Sequence, residues 1–331
     1  MSPSTAEREA WRPTADLPRL RERARMLARV RGYFARTDAL EVETPALVRA
    51  PVTDVHLESL RVVDDATGGA TVGFLQTSPE YAMKRMLSAG APDIFQVCRV
   101  FRAGERGHRH NPEFTMIEWY RRGLDEHGLM RDVEELIAVT LDGSGRPQRP
   151  SEYVTYCDAF QRIVGVDPLR ASNGELVRAI ERAGVSMPES MRATPERDDL
   201  LDLAMGTLVA GSFPADRLTF VHDFPASQAA LARIDGDVAA RFEAFWGALE
   251  LANGFHELGD ADEQRARFAA DLERRRALGR PAREADELFL AALCHGLPPC
   301  SGVALGFDRL CMVATGAQRI DEVVAFPFER A

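Results

Sequence analysis

A single lysine, Lys84, stands among 41 basic side chains, so the other 40 are arginines. Cysteine is also scarce: five occur, an odd number, with no Cys-x-x-Cys pair. That excludes the disulfide framework of a small secreted domain and fits reduced thiols in a cytosolic protein. Cys294 and His295 follow the apolar run 288–293 and Cys300 follows Pro298-Pro299, a setting that reads as a helix end rather than a zinc site. No apolar stretch approaches the roughly 20 residues that span a bilayer. The first 16 residues are polar and carry no apolar segment ahead of a small-residue cleavage site, which argues against a secretory signal. Positive charge is not in excess either. With 51 acidic residues the formal charge is −10, which argues against a protein that works mainly by gripping nucleic-acid backbones, although one basic patch remains compatible. The GxxxxGK[ST] phosphate loop, the GxGxxG fingerprint, the GxSxG elbow and the HExxH zinc pair are all missing.

What is present is an ordinary globular mixture of 331 residues, 45% apolar and 28% charged, enough for one large or two modest domains. The stretch 20–34 repeats Leu20, Ala24, Leu27 and Phe34 near helical spacing, with arginines opposite and Pro18 tolerable in the first turn. Glu41-Val42-Glu43-Thr44-Pro45 reads as extended. Segments 60–63 and 72–75 suggest a hairpin, and Ser78-Pro79-Glu80 opens a helix that ends near Gly90. Two longer strands are expected at 93–102 and 114–120, separated by a polar loop. Helices are expected at 129–139, 265–278 and 286–295, strands at 218–221, 245–258 and 303–305, and a last helix from about Asp308. Strands punctuated irregularly by helices do not resemble βαβ alternation. They point to an α+β fold, a largely antiparallel sheet flanked by helices. A single catalytic domain (19–331) after an N-terminal extension (1–18), with a helical insertion at about 141–215, is the simpler reading beside two independent domains.

Three segments could carry chemistry. In the first, period two puts Phe114, Met116, Glu118 and Tyr120 on one strand face, a ring, a carboxylate and a phenol that suit a pocket better than a core. Arg102 and the loop with Glu105, His108, Arg109 and His110 could hold phosphates, with Phe114 stacked on a base. A half-buried strand followed by a solvated charged loop fits the same residues. In the second, Asn253, Phe255 and Glu257 share a strand face. Glu243 and Glu250 offer oxygen ligands for magnesium, but seven residues apart they fall on opposite faces of a regular strand, so a bulge or turn must intervene. Glu243 could equally be an exposed charge. In the third, Gly302 and Gly306 permit close approach of a ligand or simply tight packing, and Arg309 follows in a helical first turn. Lys84, in the helix after Ser78-Pro79-Glu80, reads as a solvated or ion-paired side chain.

Taken together, these segments resemble the catalytic core of the class II aminoacyl-tRNA synthetases, in particular the lysine type. The resemblance rests on the helix near Arg19 with Glu41-Val42-Glu43-Thr44-Pro45, on Thr77-Ser78-Pro79-Glu80, and on Cys98-Arg99-Val100-Phe101-Arg102 through His110-Asn111-Pro112-Glu113-Phe114-Thr115-Met116-Ile117-Glu118-Trp119-Tyr120. It also rests on Asn253-Gly254-Phe255-His256-Glu257-Leu258 and on Gly302-Val303-Ala304-Leu305-Gly306-Phe307-Asp308-Arg309-Leu310. Only about 18 residues precede the first motif, so no anticodon-binding domain and no stable tRNA binding are expected. The closer resemblance is to the truncated, stand-alone members of the family, which adenylate (R)-β-lysine with ATP and transfer it to a lysine side chain of elongation factor P.

The resemblance implies the following roles. Arg102 contacts the α-phosphate and the amino acid carboxylate, Phe114 stacks on adenine, and His110 and Arg309 hold the outer phosphates. Arg102 and Arg309 thereby stabilise charge in the adenylation step. Glu105 serves adenine recognition, because Phe101-Arg102-Ala103-Gly104-Glu105 stands where lysine-type enzymes carry Phe-Arg-Asn-Glu. Glu243 and Glu250 bind Mg2+. Glu118 and Glu257 take the substrate's distal ammonium, with Tyr120, Asn253 and Phe255 completing the pocket and Glu80 positioning the reacting end. Ala304, where tRNA-charging lysine enzymes carry glycine, discriminates β-lysine from α-lysine. A cytoplasmic homodimer is implied as well. A minimal synthetase acting on tRNA or a small acceptor, and a non-enzymatic regulatory subunit, are the competing readings.

Overall fold

The structure, a computed structural model, describes residues 11–146 and 149–331; residues 1–10 of the expected N-terminal extension and 147–148 of the expected insertion lie outside it. The chain opens with helix α1 (Leu17–Arg36), strands β1 (Leu40–Glu41) and β2 (Leu47–Val48), hairpin strands β3 (Arg61–Asp64) and β4 (Ala70–Leu75), and helix α2 (Glu80–Ser88). Strands β5 (Ile94–Phe101) and β6 (Glu113–Arg122), helix α3 (Glu126–Leu141) and strand β7 (Glu152–Thr155) follow. Four helices come next: α4 (Tyr156–Val164), α5 (Asn173–Arg182), α6 (Glu189–Ala193) and α7 (Arg197–Ala204). Strands β8 (Leu218–Pro225), β9 (Ile234–Asp235), β10 (Val238–Trp246) and β11 (Leu249–His256) precede helices α8 (Ala261–Ala277) and α9 (Glu287–His295). Strand β12 (Cys300–Gly306) and helix α10 (Phe307–Thr315) complete the set.

Nine strands make one sheet in the order β1-β5-β6-β12-β11-β10-β8-β7, with β9 beside β10. Pairing is antiparallel except at the two edges, where β1 lies parallel to β5 and β7 parallel to β8. A separate sheet, β2-β4-β3, contains the expected hairpin. The α+β architecture is therefore as expected. The block after residue 141 is not purely helical, because β7 joins the main sheet before the helices begin.

Local chemistry explains the boundaries. The Asp16 carboxylate accepts from Arg19 N at 2.8 Å, so α1 starts at Leu17, slightly earlier than the apolar repeat suggests. Its buried stripe, Met26, Val30, Tyr33 and Phe34, packs on the sheet. There Phe34 stacks on Phe95 at 4.1 Å and meets Trp119 edge-on at 5.5 Å. Such aromatic pairs are worth about 0.5–1.5 kcal/mol beyond their buried area. A second apolar cluster joins α4, α5 and α7 to β8 and β10 through Phe160, Leu200, Val221 and Phe245. The expected single strand 245–258 is two strands, β10 and β11, split at Gly247, whose φ of +56° suits glycine. Among the described residues no helix is long and apolar enough to cross a membrane.

Candidate active site

Strand β6 alternates as its sequence demands. Ile117 and Trp119 enter the core, whereas Phe114, Met116, Glu118 and Tyr120 face a cavity of about 680 Å³ on the other side of the sheet. Arg102, Glu105, His110 and Phe114 line this cavity, as do Glu80, Glu118, Tyr120, Asn253, Phe255, Glu257, Ala304, Glu250 and Arg309. Of the residues to which the resemblance gives a role, Glu243 alone is not on its wall.

One end of the cavity is cationic. The loop after β5 is tied back by Arg102 N donating to the Pro112 carbonyl at 2.9 Å and by Ile320 N donating to the His108 carbonyl at 2.8 Å. The Arg102 guanidinium lies 5.1 Å from the Phe114 ring centre and 3.5 Å from the Glu105 carboxylate. Its Nε is buried with no partner, the condition of a donor built for an anion. Arg309, in the first turn of α10, donates from Nη2 to His110 Nε2 at 2.8 Å and from Nη1 to the Glu250 carbonyl at 2.9 Å. Burial and the Arg309 charge lower the His110 pKa, which keeps its ring neutral and able to accept. Asp308 anchors this helix, accepting from Thr115 N at 2.8 Å and pairing with Arg23 of α1 at 2.5 Å.

The other end is anionic and buried. Glu118 and Glu257 are each 2% exposed. The Ser78 hydroxyl donates to Glu118 Oε2 at 2.7 Å, and the Tyr120 hydroxyl to Oε1 at 2.8 Å. Burial, with the nearby Glu80 charge, pushes the Glu118 pKa up to about 8. Burial likewise carries Glu257 to about 8, against the pull of Lys84 and with the push of Glu80 and Glu118. Lys84 is fully buried, not solvated: Nζ lies 2.6 Å from Glu80 Oε1 and in closer contact with Glu257 Oε2. Burial opposes its charge, but Glu257 and Glu80 outweigh it and raise its pKa. Beneath these groups Gly302 allows the strands to close, since a Cβ there would overlap the Tyr120 ring and the Glu257 carboxylate. Ala304 stands opposite Glu118 on β6 and Asn253 on β11.

The expected metal carboxylates adjoin the cationic end, where Glu250 pairs with Arg309 at 3.8 Å. Antiparallel pairing sets Glu243 opposite Asn253 and Phe245 opposite Glu250, with a register shift between Ala244 and Phe245. That bulge, on the other side of a turn, supplies the irregularity the seven-residue spacing requires and turns both glutamates to one face. Arg241 Nη2 bonds Glu243 Oε1 at 2.6 Å, so Glu243 backs the wall instead of standing exposed. Burial and the Glu250 charge raise its pKa to about 7. Two hard carboxylates on one face can take Mg2+ alongside phosphate and water oxygens. No cluster of three or more His, Cys, Asp or Glu side chains suited to a metal occurs among the described residues.

A family model described as "tRNA synthetases class II (D, K and N)" matches residues 12–330. The chain belongs to the class II tRNA synthetase family. Within it, the chain is similar to the elongation factor P–(R)-β-lysine ligase of Haemophilus ducreyi, 46% identical over 336 aligned positions that cover both chains completely. The ligases of the same name from Avibacterium paragallinarum and Salmonella dublin are each 45% identical, over 97% and 98% of this chain and 98% and 100% of theirs.

Sequence reasoning missed several members of this class II site. Arg241 spans from the Phe224 ring at 4.4 Å to Asn253 Oδ1 at 3.3 Å and Glu243, but its strand is rich in alanine and phenylalanine and carries no clear alternation. Ser78 serves Glu118 while its Oγ accepts from Glu80 N at 3.0 Å; the helix cap itself is Pro79. Asn111 lines the cavity and pins the loop, its Nδ2 donating to the Glu113 carbonyl at 2.6 Å. The signal for Lys84 was its position, one helical turn after Glu80.

Proposed function

We infer that this chain activates (R)-β-lysine with ATP as an aminoacyl-adenylate and transfers it to a lysine side chain of elongation factor P. The observation that carries this reading is identity of 45–46% along essentially the whole chain to ligases of that name. The cavity's polarity supports it: guanidinium donors at one end suit phosphates, and buried carboxylates at the other suit ammonium groups.

In the first half-reaction a carboxylate oxygen of the amino acid attacks the α-phosphorus of ATP and pyrophosphate leaves. Arg102, with its unpartnered Nε, stabilises charge building on the α-phosphate, while His110 and Arg309 hold the outer phosphates. Phe114 carries the adenine, and Glu105 reads its edge. Glu118 and Glu257 bind the distal ammonium, Tyr120, Asn253 and Phe255 close the pocket, and Glu80 orients the reacting end. Glu243 and Glu250 would hold Mg2+, which would neutralise charge on the triphosphate. In the second half-reaction the acceptor amine attacks the activated carbonyl, an amide forms, AMP departs and the amine proton passes to solvent. Alignment and preorganised charge suffice, and no covalent enzyme intermediate is needed.

The helical block is read as an insertion within one catalytic domain, and the chain works as a cytoplasmic homodimer without stable tRNA binding. Amino-acid-dependent exchange of pyrophosphate into ATP tests the first half-reaction. Exchange that is faster with (R)-β-lysine than with α-lysine is expected; none with either overturns the reading.

A further inference from the structure

Lys84 does not line the cavity. It lies wholly buried behind Glu80 and Glu257 and touches both. A lysine in such a place must satisfy two demands, because a buried ammonium needs paired anions and buried anions need a counter-ion. Helix α2 carries it one turn after Glu80, with the flat face of Phe289 from α9 5.9 Å away on another side. Its position is therefore fixed by packing and not by the substrate.

We propose that Lys84 is a positioning residue that locks the Glu80 and Glu257 carboxylates and sets the charge of that end of the cavity to match two ammonium groups. Three carboxylates, Glu80, Glu118 and Glu257, converge there, and once all three are ionised, as binding of cations demands, the one fixed ammonium leaves two negative charges. A diamino acid brings two positive charges, with its carboxylate directed toward Arg102. Without Lys84 the third charge would be uncompensated, and the cluster would take up protons that the substrate must then displace. The other titratable groups facing the cluster are Tyr81 on α2, Cys98 on β5, Tyr120 on β6 and Cys300 on β12, each raised in pKa by burial first and then by these carboxylates, so none is ionised at neutral pH. Arg233 bonds the backbone carbonyl of Glu257 at 2.9 Å and does not replace Lys84. In the free protein Glu118 and Glu257 already titrate near pH 8, so amino acid binding displaces protons and tightens as pH rises.

This role rests on the functional reading above, and the test separates the two. Pyrophosphate exchange is measured from pH 6 to 9 with a panel of diamino acids for wild type, Lys84→Met, Lys84→Arg and Glu80→Gln, with thermal melting to confirm folding. A wild type active only with a diamino acid other than (R)-β-lysine sinks the substrate assignment and leaves Lys84 to be judged on that substrate; a wild type inactive with all of them sinks both. With an active wild type, Lys84→Met should raise the amino acid KM about tenfold or more, leave kcat and the ATP KM within about threefold, and move the pH at which KM levels off upward. Lys84→Arg should restore that pH profile. Glu80→Gln, which removes one negative charge, should move it downward, and this variant decides alone if Lys84→Met does not fold. An unchanged pH profile in the folded variants, or equal losses in Lys84→Met and Lys84→Arg, overturns the proposal.

Discussion

Arg309 Nη2 donates to His110 Nε2 at 2.8 Å, joining residues 199 positions apart across the mouth of the cavity. The same guanidinium holds the Glu250 carbonyl at 2.9 Å, so one side chain links the loop after β5, strand β11 and helix α10. Arg309→Ala is expected to lower kcat/KM for pyrophosphate exchange by about 10²–10³, the usual loss when a preorganised donor to developing charge is removed. The amino acid KM should barely move, and a loss below tenfold contradicts this role.

The bulge that turns Glu243 and Glu250 to one face makes a separate prediction. Glu243→Gln and Glu250→Gln should each raise the magnesium concentration for half-maximal exchange by about tenfold or more. A magnesium titration at saturating ATP reads this directly. An unchanged magnesium requirement removes both residues from the metal site.

How far the sequence reveals this site depends on whether the signal is local. The face of Phe114, Met116, Glu118 and Tyr120 follows from period two alone, and β6 keeps that period without interruption. The hairpin at β3 and β4 is equally local, with Asp64 capping the turn that Gly68 and Gly69 complete at positive φ. Arg241 and Glu243 were harder to read, because their setting comes from a register between strands and a bulge that no single segment encodes. Lys84 illustrates the same limit. Nothing in α2 shows that a carboxylate more than 170 residues away will meet its ammonium.

Gly302 offers a steric test. Its absent side chain leaves room for Tyr120 and Glu257 to approach, so Gly302→Ala must push one of them aside. The expected result is an amino acid KM raised about tenfold or more while ATP binding, followed by calorimetry, persists. Comparable loss of both contradicts a pocket specific to the amino acid.

Ala304 adds a methyl group to the strand between Glu118 and Asn253. If that methyl group favours the backbone placement of a β-amino acid, Ala304→Gly should lower the ratio of exchange rates for (R)-β-lysine over α-lysine. Parallel assays with both isomers measure it, and an unchanged ratio removes Ala304 as the discriminator.

The transfer reaction itself is the central claim, and intact mass spectrometry reads it without a coupled assay. Purified elongation factor P is incubated with this protein, ATP and magnesium, with (R)-β-lysine, α-lysine or neither, and lysine tRNA is offered in parallel. The account predicts a mass gain of one lysyl unit on the factor, greatest with (R)-β-lysine, and no charged tRNA. Amino acid on the tRNA with the factor unmodified would contradict it.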